Sequence, residues 1–234
     1  MKKFLLALVV LLGSISLANA ERFSVGITAT GALFEADGAQ EIFSGNHSSN
    51  TTTAKVTKTT ADEGEDAAAL VGMGSIFFEI HANDKISLGV NYVPHSMDSE
   101  TTENIQNMGA EGKPGSFKAK SRNTVKVSFE DLTTVYALAN LTDNVYAKVG
   151  YVEVDLITEE VLATGGSYGN TSLDGYTLAL GYSMDMADGM FARFEASYMD
   201  LDGATLVNTN DSTKSITADG IEGYGARVSI GKSF

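Results

Sequence analysis

The strict alternation of side chains over residues 224–234 constrains the fold of this chain most. One face of this segment is mainly apolar and consists of Tyr224, Ala226, Val228, Ile230 and Phe234. The other face consists of Gly225, Arg227, Ser229 and Gly231. A period of two is the signature of a β-strand whose two faces meet different surroundings. The pattern therefore predicts a β-strand that ends on an aromatic residue and has one apolar side.

The amino terminus has the layout of an export signal. Two lysines precede an apolar run from Phe4 to Leu12, and small residues follow at Ala18-Asn19-Ala20. Because this run is too short to span a bilayer as a helix, we interpret residues 1–20 as a signal peptide that is cleaved after Ala20. We expect residues 21–234 to form a single outer-membrane β-barrel domain.

Composition excludes several classes of protein. The chain has 16 Lys and Arg against 30 Asp and Glu, for a formal net charge of −14, and so acidic a chain is not built to bind nucleic acid. It has no cysteine, so an exported protein of this size depends on burial and hydrogen bonding without disulfides. Two prolines, 24 glycines and no long helical periodicity favour strands over helices.

Seven further segments alternate in the same way, starting near Phe23, Ala69, Ile86, Thr124, Val145, Tyr176 and Met190. The segment that starts near Thr124 changes phase, which predicts a β-bulge near Glu130-Asp131. Short polar turns are expected at residues 81–85, 142–144 and 184–189. Long loops without strands are expected at about residues 35–68, 94–123, 153–175 and 200–222. Short turns on one side and long loops on the other predict an all-β fold, an eight-stranded antiparallel up-and-down transmembrane β-barrel.

The second face of the predicted strands distinguishes a membrane barrel from a soluble one. In the first, third, sixth and eighth strands it is mainly Ser, Gly, Thr, Ala and Asn, and nearly free of charge. A face in water would carry more charge, whereas a narrow lumen accommodates small side chains. The apolar face is then expected against lipid, with aromatic rings at both interfaces. The alternative is a soluble barrel, in which Leu88, Leu178, Leu180 and Val228 would point to the axis.

These features resemble the small outer-membrane β-barrel proteins of the OmpA membrane-domain, OmpX and opacity type. The resemblance covers residues 21–234 in topology. It is most specific in the terminal strand and in the alternation of short turns with long loops. It implies a role in envelope structure, surface contact or adhesion. From the export signal and the terminal strand we expect a location in the outer membrane of a Gram-negative cell, and we expect no enzymatic activity and no cofactor. The resemblance also implies assistance by periplasmic chaperones, and recognition by the barrel-assembly machinery of Tyr224, Ala226, Val228, Ile230 and Phe234.

Strand parity places four charged side chains in the predicted lumen: Lys148, Arg193, Glu195 and Arg227. Glu79 and Asp131 are further candidates. Charges in a narrow barrel must find partners, because unpaired burial is costly. One hypothesis is a set of salt bridges that fills the lumen. The other is a charged constriction in a narrow porin-like channel for small solutes or ions. The small bore of eight strands favours the salt bridges.

The predicted loops are acidic, apart from one basic stretch that includes Lys118, Lys120 and Arg122. These three residues are predicted to contact lipopolysaccharide phosphates. The acidic residues lack the fixed spacing of a calcium loop, so no metal site is predicted. Residues 165–169 fit the hydrolase string G-x-S-x-G, but no histidine follows them in the chain. A catalytic role is therefore not predicted, and neither is a cofactor.

Overall fold

The structure of the protein is a computed structural model, which describes residues 23–36, 39–43, 56–59, 67–99, 102–109, 117–162, 166–210, 212, 214–218 and 220–234. Only the backbone is described for residues 39–43, 56–59, 67, 102–109, 117–123, 214 and 218. The predicted signal peptide lies outside the described residues.

The described chain is almost entirely β-structure. Its strands are β1 (Phe23–Ala36), β2 (Ala39–Phe43), β3 (Val56–Thr59), β4 (Ala67–His81), β5 (Ile86–Tyr92), β6 (Met97–Asp98), β7 (Thr102–Gly109), β8 (Phe117–Asn140), β9 (Val145–Leu162), β10 (Thr171–Asp185), β11 (Met190–Leu201), β12 (Ala204–Val207), β13 (Lys214–Ala218) and β14 (Ile221–Ser233). A 3-10 turn covers Ala187–Gly189. In the part of the chain that the structure describes, we find no helix with the length and apolar character needed to cross a bilayer.

Eight of these strands close into a barrel. Hydrogen-bonded neighbours follow the order β5-β4-β1-β14-β11-β10-β9-β8, and β8 pairs back with β5. All of these pairings are antiparallel. The terminal strand β14 lies between β1 and β11, with Ile230 opposite both Ile27 and Ala192. The eight-stranded antiparallel barrel predicted from the sequence is confirmed.

Tight turns connect the strands at one end of the barrel. Asn83 Oδ1 accepts hydrogen bonds from the backbone amides of Lys85 and Ile86, and Thr142 Oγ1 accepts one from Val145. Gly189 has φ +73, and a side chain there would lie 2.8 Å from the carbonyl oxygen of Ser233. These turns lie where the sequence predicts them.

The other end of the barrel differs from the prediction of long loops without strands. β8 starts at Phe117, β9 runs to Leu162, and a second sheet has the strand order β12-β13-β2-β3. Alternation continues through these segments, but the apolar side chains now point inward. Val152 and Val154 are 0% and 1% exposed, and Glu153 between them faces outward. A search for strands with apolar outer faces misses such segments, because outside the membrane the preference of the two faces is reversed.

The predicted bulge in β8 is present. The β8–β9 register shifts between Glu130 and Thr133, and Asp131 has φ 55. The extra residue lets Phe129 before the bulge and Leu132 after it both point inward. The suggestion that Asp131 joins the lumen charges is wrong, because its carboxylate accepts a hydrogen bond from the Tyr92 hydroxyl at 2.5 Å.

The faces of the barrel are arranged as in a membrane protein. The four side chains that would point to the axis of a soluble barrel are all exposed on its outside: Leu88, Leu178, Leu180 and Val228. The inward positions near the short turns carry small polar residues such as Ser24, Thr28 and Ser75, which are buried. The soluble-barrel alternative is therefore wrong for this half of the molecule.

Candidate functional site in the barrel interior

Buried charges cross the half of the lumen that lies nearer the short turns. Arg193 donates two hydrogen bonds to Glu79, at 2.6 Å to Oε1 and 2.9 Å to Oε2. The Tyr136 hydroxyl donates to the same carboxylate at 2.8 Å. Glu79 is 1% exposed, so this two-pronged arginine contact holds a charge that water does not reach.

A second carboxylate, Glu195, lies beside this pair. It accepts a hydrogen bond from Lys148 Nζ at 2.6 Å and another from the Tyr146 hydroxyl at 3.1 Å. Arg227 Nη1 lies 3.6 Å from Glu195. All four side chains that the sequence places in the lumen therefore lie together in the interior, and Glu79 joins them.

We call Glu79, Tyr136, Tyr146, Lys148, Arg193, Glu195 and Arg227 the lumen plug. Aromatic rings complete its packing: the Arg193 guanidinium lies 4.4 Å from the centroid of the Phe191 ring, and Lys148 Nζ lies 5.0 Å from that of Tyr136. The free volume between these side chains is about 20 Å³. This volume suits one small molecule such as water, so the side chains of the lumen plug fill most of the lumen at this level.

Above the lumen plug, toward the long connections, the interior becomes apolar. The buried cluster there consists of Ala32, Met73, Val93, Leu132, Val152, Val154, Leu156, Leu173, Met199 and Leu201. The change occurs at a belt of outward-facing tyrosines: Tyr92, Tyr151, Tyr176, Tyr198 and Tyr224. Such a belt is typical of the outer boundary of a membrane barrel.

An apolar cavity of about 480 Å³ lies in this outer half. We call it the outer cavity. Its walls come from β1, β4, β8, β9, β11, β14 and the segment between β5 and β7, and include Phe34, Val71, Met97, Phe129, Leu132 and Ile221. The few polar residues along it include Glu35, His95 and Asp98. The volume and the apolar walls are those of a site for a small organic molecule.

The barrel wall is interrupted beside the outer cavity. The β4–β5 ladder ends at Ile76 opposite Tyr92, whereas the β1–β4 ladder continues to Ala67. In the described chain, no strand pairs with this edge of β4 over residues 67–75. We call this interruption the β4 gap. His95 partly spans it, because its Nε2 accepts the Gly74 amide hydrogen at 3.0 Å.

The β4 gap exists because the chain after β5 moves to β8. The Val93 amide donates to the carbonyl oxygen of Leu132 at 3.0 Å, and the Ser99 amide donates to that of Val127 at 2.7 Å. Pro94 follows Val93 and has no amide hydrogen to continue a ladder with β4. The segment is thereby drawn away from β4.

Asp98 fixes this segment to β8. It accepts hydrogen bonds from Lys126 Nζ at 2.8 Å and from the Ser128 hydroxyl at 2.6 Å. The hydrogen bond from Lys126, followed by that from Ser128, lowers the pKa of Asp98. The same contact raises the pKa of Lys126. Both groups lie beyond the tyrosine belt, where water reaches them.

The predicted assembly residues occupy the lipid-facing side of β14. Tyr224, Ala226, Val228, Ile230 and Phe234 are all exposed there. The Phe234 ring stacks on Phe23 with centroids 5.0 Å apart, and the backbones of the two residues are hydrogen-bonded. This contact joins the two ends of the barrel chain. Recognition of these residues by the assembly machinery stays a prediction.

Two other predictions concern the outer end. Lys118, Lys120 and Arg122 belong to β8, but their side chains lie outside the described part, so their contact with lipopolysaccharide stays a prediction. The residues around Ser167 form a turn in which the Tyr168 and Gly169 amides donate to Glu160. Within the described ranges, no group of His, Cys, Asp and Glu is placed to hold a metal ion.

Sequence reasoning missed the outer cavity and the tyrosines of the lumen plug. The parity that places Lys148 inside also places Tyr146 inside, so the tyrosines could have been found. The outer cavity has no comparable signal, because its walls come from segments far apart in the chain.

No protein-family model matches the sequence, and no curated protein matches it either. Among solved structures it is similar to the outer membrane protein OprG from Pseudomonas aeruginosa (12% identity, 92% of this chain and 97% of that chain, TM-score 0.47). It is also similar to the outer membrane protein AlkL (7%, 92% and 91%, 0.45) and to Ail of Yersinia pestis (9%, 88% and 99%, 0.35). At these identities and TM-scores the likenesses carry no argument about function, and the eight-stranded antiparallel barrel is established by the strand order of this chain itself.

Proposed function

We propose that this protein is a non-enzymatic barrel of the outer membrane that binds small apolar molecules in the outer cavity and exchanges them with the outer leaflet through the β4 gap. The observation that carries this proposal is an apolar cavity of about 480 Å³ beside an interrupted barrel wall. The expected ligands are neutral molecules about the size of one or two fused rings, since polar groups along the walls are few.

The lumen plug argues against the alternative of a porin-like channel. A hydrated ion cannot pass a free volume of about 20 Å³, and opening it requires separating Glu79 from Arg193 in a buried site. We expect no discrete openings of the purified protein in planar bilayers. Reproducible openings would show that the axis conducts and would restore the porin hypothesis.

The position of the β4 gap supports lateral exchange. It begins just beyond Ile76, which pairs with Tyr92 of the tyrosine belt. Leu70 on the outside of this edge is 83% exposed, and Gly72 and Gly74 have open space where a side chain would lie. An apolar molecule leaving sideways at the start of the gap reaches the membrane interface at the level of the tyrosine belt and avoids the charged lumen plug.

A substitution that fills the outer cavity tests the proposal. Val71 points inward and lines the cavity, so Val71→Trp is expected to weaken binding of the fluorescent apolar dye N-phenylnaphthylamine about tenfold. Val149→Trp is the matched control, because Val149 faces lipid and should leave binding unchanged. Equal dye binding by Val71→Trp, Val149→Trp and the unaltered protein would contradict the proposal.

A surface-contact role is the second candidate, and the sheet β12-β13-β2-β3 beyond the barrel favours it. Loops that carry strands present a defined surface to partners. We expect replacement of residues 204–218 by a short turn to reduce attachment of cells that display the protein, while dye binding remains. Unchanged attachment would remove this candidate.

A further inference from the structure

The described charges of the lumen plug do not balance. Three cations, Lys148, Arg193 and Arg227, face two carboxylates, Glu79 and Glu195. The side chains of Lys148 and Arg227 are 8% and 7% exposed, so water screens them little. An uncompensated charge in such a place is strongly unfavourable. When all five groups are ionised, one positive charge among the described residues of the lumen plug therefore lacks a counter-charge.

The excess charge can be assigned to one side of the lumen plug. Both oxygens of Glu79 accept hydrogen bonds from Arg193. Glu195 is shared by Lys148 at hydrogen-bond distance and by Arg227 at 3.6 Å. One carboxylate thus serves two cations, and Arg227 is the more distant of the two.

Hydrogen-bond donors are also in excess there. Arg227 Nε is buried and has no acceptor among the described residues, and the same is true of Arg193 Nε. The Thr28 and Ser229 hydroxyls, which line the same space, are hydrogen-bonded to each other at 2.7 Å, and neither accepts a hydrogen bond from Arg227 Nε. What the site lacks is an acceptor, and a negatively charged acceptor would correct the charge as well.

The space at this point is small and defined. The free volume of about 20 Å³ is lined by Thr28, Lys148, Glu195, Arg227 and Ser229 among others. It suits a single particle of about the size of a water molecule. A carboxylate ligand or a phosphate is too large for it, whereas a halide ion has about the right size.

We propose that the lumen plug binds one small inorganic anion, with chloride as the abundant candidate, between Arg227 and Lys148. The anion makes the plug neutral and accepts the hydrogen bonds that Glu195 cannot. This inference does not depend on the function proposed for the outer cavity. It makes chloride a structural component of the closed barrel.

Halide dependence of stability tests the inference. The protein is refolded into lipid vesicles in sodium gluconate, and its thermal unfolding is then measured with gluconate replaced stepwise by chloride or bromide at constant ionic strength. Both halides are expected to raise the unfolding midpoint along a saturating curve, because they bind the folded state alone. Gluconate is too large to enter. Equal midpoints in chloride and gluconate would overturn the inference.

Two variants locate the effect. Arg227→Gln is expected to abolish the halide response, because it removes the excess charge. Lys126→Gln is the matched control, since Lys126 pairs with Asp98 outside the lumen and should leave the response intact. Loss of the response in both variants, or in neither, would show that the halide acts elsewhere.

Diffraction from crystals of the unaltered protein grown in bromide keeps the test independent of whether Arg227→Gln folds. The expected result is an anomalous peak within hydrogen-bond distance of Arg227 and Lys148. Electron density for water alone at this position, without an anomalous peak, would contradict the proposal.

Discussion

The two halves of the barrel have opposite chemistry on the same strands. In the half near the short turns, β9 points Tyr146 and Lys148 inward and Val149 toward lipid. Beyond Tyr151 the inward positions are occupied by Val152, Val154 and Leu156. The outward positions between them are occupied by Glu153 and Asp155. In β9 parity continues without a break while the preference of the faces reverses, whereas β8 has its bulge at this level. The outer membrane boundary is thus marked by an exchange of the two faces, and the strands continue past it.

This difference shows that the two halves are stabilised differently. The interior of the membrane half consists mainly of small polar side chains and the lumen plug, with Phe77, Leu138 and Phe191 buried beside them. Ion pairs and hydrogen bonds join its strands across the lumen. The outer half stands in water and is stabilised by an apolar core, as in a soluble protein. The outer cavity lies in the second half, and it opens at the β4 gap where the wall is interrupted.

The largest expected effect concerns the lumen plug. Glu79→Gln leaves Arg193 buried without its counter-charge, and we expect a loss of about 4 kcal/mol in the free energy of unfolding. Urea unfolding in lipid vesicles measures it. Glu159→Gln is the control, because Glu159 is exposed and its change should stay within about 0.5 kcal/mol. Similar losses in both variants would show that the lumen plug does not stabilise the membrane half.

The core of the outer half gives the next largest effect. Leu156→Ala removes a side chain from the buried cluster and is expected to cost about 3 kcal/mol. Val149→Ala, in the same strand but facing lipid, should cost less than about 1 kcal/mol, because lipid fills the space that it leaves. The same urea measurement compares them. A larger loss for Val149→Ala would mean that the outer half lacks a core of the soluble type.

The smallest expected effect concerns the contact that borders the β4 gap. The pKa of Asp98 is lowered in the folded protein. Its contact with Lys126 therefore stabilises the folded state at pH above the unfolded pKa of about 3.9. This stabilisation is lost as the pH falls through the lowered pKa of the folded state. The amides of Ser99 and Val127, which are hydrogen-bonded across this contact, should then exchange faster at about pH 3 than at about pH 6, after correction for intrinsic rates. Asp98→Asn is the control.

In Asp98→Asn the protection of both amides should not depend on pH, because the amide side chain does not titrate. A pH dependence that persists in this variant would assign the effect to another group. Such a result would show that Asp98 does not control the pH-dependent stability of the edge of the β4 gap.

The membrane half follows largely from the sequence. Alternation predicts its strands and the inward direction of Lys148, Arg193, Glu195 and Arg227. One face of each strand contacts lipid and the other faces the lumen, so apolar and polar residues must alternate. The outer half was predicted less well. Its strands alternate too, but strands were recognised by an apolar outer face, which is expected only where lipid surrounds the barrel. Loops without strands were therefore predicted where β8 and β9 continue.

The sequence by itself determined the barrel, its closing strand and the faces of its membrane half, since side-chain period and solvent preference are local properties. The tertiary structure alone decided which charges pair, since Glu79 and Arg193 lie on strands that are not neighbours in the sheet. It also decided the β4 gap: Pro94 ends a ladder locally, but the route of the following segment to β8 depends on hydrogen bonds with residues far along the chain. The outer cavity exists because these distant segments diverge, which no local pattern encodes.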